Sequence, residues 1–352
     1  MRIGFLTRGH GFGHAARDLR LIREIRRQRP DAVVDVMSSG SGHRYYRSRG
    51  VDCVDLGIAD ERDTAPAASW AVWRRLARGL DTWDLLVADE VFAAIPFGHY
   101  VLDRPVVALT DWFFRDFGRA DHDRVFDHAA EVIVLDFPES HPVPPRTAAP
   151  VHYAGPVVDG FGRERREARA ALGAGPEDLV AVLTVGGMPL RPEAVRMTNA
   201  VLDAWSSRTA SDRLYILADR ADRPQPPGVT WTGVCATPEQ YYAAADVVLA
   251  DAMGFTACEL VANGGRVLAL VDAATVGDFP ASFRHRLVHM AGQGWITPLN
   301  AACGPAKLWN AIVGGREDGN AAADPAERPA MPSADVAELA RRVLSHERPG
   351  HD

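Results

Sequence analysis

Lysine is nearly missing from this sequence: Lys307 is the sole lysine among 352 residues, and every other basic side chain is an arginine. GC-rich coding accounts for that bias. It also excludes Schiff-base and phosphate-loop lysine chemistry, because Lys307 sits in a plain helical stretch, AKLWNAIV. Long apolar runs are missing too. None reaches the ~18 residues of a membrane span, and the N-terminal MRIGFLTRGHG has no long apolar core, so neither a span nor a secretory signal is expected. The four cysteines (Cys53, Cys235, Cys258, Cys303) lie far apart, without CxxC or Cys/His ligand spacing. Reduced thiols, no zinc site and a cytoplasmic location are the expectation. A net charge of -7 gives no bulk attraction to nucleic acid or anionic lipid. What remains is globular in kind: 47% hydrophobic and 24% charged residues, in a chain long enough for two domains.

Strand-like and helical patterns alternate almost from end to end, which is the signature of parallel α/β layers. Met1–Thr7, Ala32–Met37, Leu85–Ala88, Val106–Leu109 and Glu131–Leu135 read as strands. Ala15–Arg27, with Leu19, Ile22 and Ile25 on one face, reads as a helix. The Pro-rich stretch from Phe137 to Pro150 suits a linker. Beyond it the pattern restarts, with strands at Val180–Val185, Leu214–Ala218, Val229–Thr232, Val247–Ala250 and Val267–Val271. A helix runs on to about Ala204, another follows Thr237 as N-cap up to Ala245, and a third covers Phe255–Ala262. Residues 314–332 read as a loop, and Ala334–Leu344 as a final amphipathic helix. No repeat of solenoid length is present. The expected division is an N-terminal domain over 1–148, a second over 149–330, and a terminal helix and tail over 331–352.

Two glycine clusters sit where chemistry would be. The first, Gly9-His10-Gly11-Phe12-Gly13-His14, lies between the first strand and first helix, where backbone N–H groups are unpaired. A dinucleotide fold wants a third glycine where His14 stands, and an acidic residue ending strand two; that strand ends in Ser38-Ser39, with Asp35 inside it. Nicotinamide binding is therefore disfavoured. A histidine at such a turn can instead do acid–base work, its tautomer fixed by a carboxylate from a neighbouring strand tip. Asp89 and Glu90 end one such strand and Asp111 another; a purely structural hydrogen bond is the competing reading. The second cluster comprises Gly186-Gly187 after a strand, and Asp251-Ala252-Met253-Gly254-Phe255-Thr256 with Glu259 one turn further on. Amides and hydroxyl at Gly254–Thr256 can hold a diphosphate, and Glu259 can accept from a vicinal diol such as ribose.

With Gly13-His14, Gly155-Pro156-Val157, Gly186-Gly187 and Gly254-x-Thr256-x-x-Glu259 in this order, the chain resembles the GT-B glycosyltransferases. The resemblance points particularly to family 28 and the branch containing the lipid-II-forming N-acetylglucosaminyl transferase. TRGHGFGHAAR also looks like the N-terminal region of certain plant sugar kinases. The resemblance implies an α/β fold of two Rossmann-like doubly wound domains facing a cleft. It implies inverting, metal-independent transfer of a sugar from a nucleoside diphosphate to a small-molecule acceptor, with no further cofactor. His14 takes the position of the acceptor-activating base and Asp89 that of the aspartate orienting it. The acceptor then lies near His10, Gly11, Phe12, Glu90 and Asp111. The donor falls to Gly186, Gly187, Arg191, Val234, Cys235, Met253, Gly254, Phe255, Thr256, Glu259 and Asp278.

Departures from the pattern leave roles open. No arginine follows Gly155-Pro156-Val157, and Ala252 stands where plant-type members have a histidine, so positive charge must come from elsewhere, with Arg191 and Arg266 as the candidates. No pair gripping the donor sugar stands out; Asp272, Asp278 and His285 are the candidates. Asp121-His122-Asp123 has the form of a metal-binding DxD string, but its charged surroundings read as a solvated face. Trp70 and Trp73 are expected to pack a helix onto the sheet, and Asp60–Ser69 to tune acceptor choice. A sugar-nucleotide epimerase and a non-catalytic sugar-nucleotide-binding protein are the rival functions.

Overall fold

The computed structural model describes residues 1–58, 66–79, 83–185, 191–205, 211–218, 226–233, 235, 237–314 and 328–347. The chain forms two compact units. The first comprises Met1–Val157 with Pro280–Ser282 and Ser333–Asp352; the second comprises Val158–Phe279 and Phe283–Pro332.

In the first unit the elements run β1 (Arg2–Thr7), α1 (Gly13–Gln28), β2 (Val33–Ser38), α2 (Gly40–Ser48), β3 (Cys53–Asp55), α3 (Pro66–Leu76), β4 (Leu85–Asp89), α4 (Ala94–Tyr100), β5 (Val106–Thr110), β6 (Glu131–Val134) and β7 (Val151–Tyr153). All pairings are parallel, in the order β3-β2-β1-β4-β5-β6-β7. The central strands are apolar almost throughout and fully buried, as strands covered on both faces must be. The order reverses between β1 and β4. That switch point opens a crevice at the carboxyl ends of the strands, where open α/β sheets bind ligands.

The second unit repeats the scheme with α5 (Arg165–Ala171), β8 (Val180–Thr184), α6 (Pro192–Trp205), β9 (Arg213–Ile216), β10 (Val229–Trp231), α7 (Glu239–Ala244), β11 (Val247–Asp251), α8 (Thr256–Ala262), β12 (Val267–Val271), α9 (Ala281–Gly292), β13 (Ile296–Asn300) and α10 (Pro305–Val313). Its sheet reads β10-β9-β8-β11-β12-β13, so the reversal falls between β8 and β11. Leu183, Val201, Trp205, Leu249 and Leu270 lie in its core.

Some boundaries move. The proline stretch 137–150 is not the division between units: it connects β6 to β7 within one sheet, and the units part at Val157–Val158. The terminal helix, α11 (Val336–Leu344), is no separate tail. Its Leu339, Ala340 and Val343 join the core with Ile3, Phe5, Ile22 and Ile25 of β1 and α1. Each large apolar side chain there contributes about 1.5–3 kcal/mol by leaving water. The helix is capped by Asp335, which accepts from the Ala337 and Glu338 amides. Pro238, not Thr237, takes the N-cap position of α7, with no side-chain cap. Trp70 is 62% exposed and so packs nothing onto the sheet. Trp73 does pack, donating to the Ala93 carbonyl and stacking on Phe97 of α4. Most of the two expected loops, 60–65 and 315–327, lies outside the described residues. Among the described residues no helix is long and apolar enough to cross a membrane.

Candidate active site

Three neighbouring strands, β1, β4 and β5, end at Thr7, Asp89 and Thr110. The polar chemistry of the first unit hangs from their carboxyl ends. The turn after β1 is tightly made: a Cβ on Gly9 would collide with Ser39, and Gly11 has φ 68, a left-handed conformation that glycine adopts without cost. Gly13 needs no such excuse, since a Cβ there would meet nothing within 4 Å. The turn places His14 as the second residue of α1, with His10 half-buried and the Phe12 ring 5.8 Å from Tyr45.

From there His14 Nδ1 meets Asp89 Oδ2 at 2.9 Å. Arg17, one helical turn later, donates to the same carboxylate through Nη2 (2.6 Å) and Nε (3.3 Å), and through Nη1 to Asp111 Oδ2 at 3.0 Å. Arg17 Nη2 also lies 2.9 Å from His14 Nδ1. Nδ1 cannot both donate to Asp89 and accept from Arg17. A bare ring lone pair facing a carboxylate oxygen is repulsive, so the proton belongs on Nδ1 and the lone pair on Nε2. Glu90 stands beyond the ring, its Oε2 3.7 Å from His14 Nε2 and 2.6 Å from Arg8 Nη1. Glu90 Oε1 accepts the Asp111 amide at 3.3 Å. Its backbone has φ 51, the left-handed region that a long side chain occupies only at a cost of about 1–3 kcal/mol, a cost found chiefly at functional sites.

Burial works against a charged Asp89, but the Arg17 guanidinium, aided by His14, more than offsets it and holds the carboxyl below its usual range. Asp111 goes the other way: burial and the Glu90 carboxylate push it up to about 7, against the pull of Arg17. Asp18 is raised well above its ordinary value by burial and by Asp89, although Thr7 Oγ1 donates to it at 2.7 Å. Asp18 Oδ1 and Asp111 Oδ1 are buried with no hydrogen-bond partner among the described residues. A proton on each carboxyl resolves this, directed from Asp111 to Glu90 and from Asp18 to Asp89.

The ligand atoms of His14, Asp89 and Glu90 lie within 4.8 Å of one another, a spacing a divalent cation could use. Both carboxylates are already held by guanidinium groups, whose charge opposes a second cation there. The DxD string is no solvated face throughout. Asp121 is exposed and pairs with Arg146, whereas Asp123 is fully buried and accepts the Arg115 and Arg146 amides.

In the second unit the switch point brings the end of β8 beside the β11–α8 loop. Gly186, Gly187 and Val234 lie outside the described residues. Asp251 Oδ1 accepts the Met253 amide and so shapes the loop. Gly254 is not demanded by the fold, because a Cβ there would meet only Asp251 O at 3.7 Å and Thr256 N at 4.0 Å. The Thr256 hydroxyl makes no hydrogen bond among the described residues. Tyr242 is buried and donates to Thr184 Oγ1 at 3.1 Å; burial raises its phenol, and the nearby Glu259 carboxylate and Cys235 thiol add to this.

Arg191 reaches the loop but is already engaged by Asp251 (3.1 Å) and Glu193 (3.2 Å). Arg266 is elsewhere, donating to the Ala311 and Ile312 carbonyls of α10, and cannot serve a diphosphate at Gly254. Asp272 is taken by Arg196 and Thr275, while Asp278 is exposed and His285 lies on α9. Arg286, which sequence reasoning missed, lies fully buried under the loop. It donates to the Met253 carbonyl at 2.7 Å and stacks its guanidinium 3.8 Å from the Phe255 ring centroid and 4.4 Å from that of Phe283. Arg8, Arg17, Asp18 and Tyr46 were missed as well. Arg17 and Asp18 gave a signal, their i+3 and i+4 spacing from His14 on one helix face.

No protein-family model and no curated protein sequence matches the chain. Solved structures do. MurG of Acinetobacter baumannii superposes with TM-score 0.61 at 16% identity, covering 98% of this chain and 99% of that one. The glycosyltransferase SnogD from Streptomyces nogalater gives TM-score 0.60 at 14% identity, covering 99% and 100%. UDP-GlcNAc 2-epimerase from Neisseria meningitidis, bound to UDP-GlcNAc, gives TM-score 0.65 at 12% identity, covering 98% and 100%. Two parallel sheets in sequence, matched over nearly the full length of each, give this chain the α/β fold of the GT-B glycosyltransferases.

Proposed function

We propose that this protein transfers a sugar from a nucleoside diphosphate to a small-molecule acceptor, with inversion and without a metal. The observation that carries the reading is the His14 Nδ1–Asp89 Oδ2 contact at the switch point of the first sheet. An Nδ1–H given to Asp89 leaves Nε2 free to take the acceptor's proton as its oxygen (or other nucleophile) bonds to the anomeric carbon. The bond from that carbon to the diphosphate breaks, and the nucleoside diphosphate leaves. A positioned base of this kind contributes about 10²–10⁴-fold. The acceptor contacts are assigned to His10, Gly11, Phe12, Glu90 and Asp111. Phe92 and Trp112, following the two carboxylates and stacked edge-on at 5.2 Å, add an aromatic wall suited to an apolar acceptor body.

The donor is assigned to the second unit. Met253–Thr256 take the diphosphate, Glu259 the ribose and Cys235 the base; Gly186, Gly187 and Val234 are assigned to the donor by the sequence resemblance alone. Helix α8 has only seven residues, so its dipole alone is a weak counter-charge. Arg286 is buried beneath that loop and held by the Met253 carbonyl, so the partly exposed Arg191 is the cation assigned to the diphosphate, released from Asp251 or Glu193 on binding. Titration calorimetry against UDP, GDP, dTDP and ADP tests this half of the reading: one nucleotide binds, and Glu259→Gln weakens it. If none binds, the reading fails.

A 2-epimerase is the second reading. It is favoured by the extra carboxyl groups beside His14, Glu90 and Asp111, and by the epimerase among the structural neighbours. Incubating each nucleotide sugar alone separates the two. Conversion without acceptor supports the epimerase, and conversion only with acceptor supports transfer.

A further inference from the structure

We propose that Arg17 is a positioning residue for the His14 base: by neutralising Asp89 it leaves Nδ1 as the one protonated ring nitrogen and keeps Nε2 bare. The inference rests on the glycosyl-transfer reading for its meaning, but not for its test. Arg17 spends three donors on two carboxyl groups, gripping Asp89 at 2.6 and 3.3 Å and Asp111 at 3.0 Å. It is itself buried, so it is held in place by the groups it neutralises.

The charged and titratable groups around the pair are Arg8, Asp18, Tyr46, Glu90 and Asp111. Arg8 is engaged by Glu90. Thr7 joins Asp18 to the Tyr46 hydroxyl. Among the described residues Arg17 is therefore the cation that touches Asp89. Without it, a buried carboxylate would face only His14 and the proton-bearing Asp18. An uncompensated buried charge is costly, and a proton entering the pair removes it. The proton has two places to rest. On Asp89, the new O–H donates to Nδ1 and the ring switches to its Nε2–H tautomer. On the ring, an imidazolium forms. Either way Nε2 ends protonated, and the lone pair meant for the acceptor is gone.

The test reads ring nitrogen protonation directly by long-range ¹H–¹⁵N correlation on histidine-labelled protein without substrate at about pH 8, above the ordinary histidine range. Wild type is expected to show His14 with Nδ1–H and a bare Nε2. Arg17→Gln, which keeps a neutral donor in the same space, is expected to protonate Nε2. Arg17→Lys, which restores charge, is expected to return Nε2 to the bare state. Transfer by Arg17→Gln should fall at least ~10²-fold in kcat with donor Kd unchanged. A wild-type ring carrying its proton on Nε2, an Arg17→Gln ring unchanged from wild type, or an Arg17→Lys ring matching Arg17→Gln would each overturn the inference. If Nε2 responds as expected while the wild-type protein transfers no sugar, the Arg17 inference stands and the transfer reading falls.

Discussion

Replacing Asp111 by asparagine should flatten the pH dependence of the first unit's stability between about pH 5 and 8. The folded protein holds this carboxyl at about 7, through burial and the Glu90 carboxylate. In the unfolded chain it returns to ~3.9. The folded state therefore binds a proton that the unfolded state has lost. Its stabilising contribution is complete below the unfolded value and disappears as pH rises through about 7. At ~1.4 kcal/mol per pH unit, the interval from about pH 5 to the folded value is worth roughly 2–3 kcal/mol. The amide of Asp111→Asn cannot titrate. That variant keeps an acceptor for Arg17 Nη1 in its amide oxygen and a donor toward Glu90 in its NH2, and so stands in for the protonated carboxyl. Wild type should therefore lose roughly 2 kcal/mol relative to it between about pH 5 and about pH 8. Denaturant unfolding of both proteins at the two pH values, followed by a probe in the first unit, measures it. A gap that is the same at both would refute the assignment of a proton to Asp111.

Asp89→Asn presents an amide N–H to His14 Nδ1, forces the wrong tautomer, and should lower kcat by about 10³–10⁴, with donor affinity kept within a few fold; steady-state kinetics beside calorimetry check this. Gly254→Ala should leave the melting temperature within a degree or two, since its Cβ has room, yet weaken nucleotide binding at least about tenfold on the proposed reading. Gly9→Ala should destabilise the first unit by about 1–3 kcal/mol through its clash with Ser39, whereas Gly13→Ala should not destabilise it; denaturant midpoints separate them. Leu339→Ala should cost about 2–5 kcal/mol by opening a cavity between α11 and α1, read from the same unfolding curves.

The strands were legible because parallel strands covered on both faces are continuous apolar runs. Val267–Val271 matches to the residue, and Leu85–Asp89 differs by one. Short edge elements escaped: Cys53–Asp55 and Ile296–Asn300 carry polar or proline residues that break such a run. The terminal helix was visible as an amphipathic pattern, but its docking partner was not, since α1 lies at the opposite end of the sequence. His14 and Asp89 could be nominated from their positions after strands, and the fold sets them in contact. Arg17, Asp18 and Arg286 were hidden because buried charges look like surface charges in a sequence so rich in arginine. Only the structure distinguishes Arg286 beneath Met253 from Arg266, spent on the carbonyls of α10.

The most direct test of the account measures His14→Ala twice in one preparation, once for donor binding by calorimetry and once for turnover with donor and acceptor. Intact affinity together with turnover reduced by about 10²-fold or more is the predicted pair, as expected for loss of a base. Turnover close to that of the unaltered protein, or affinity lost in parallel with it, contradicts the assignment of the imidazole to proton removal.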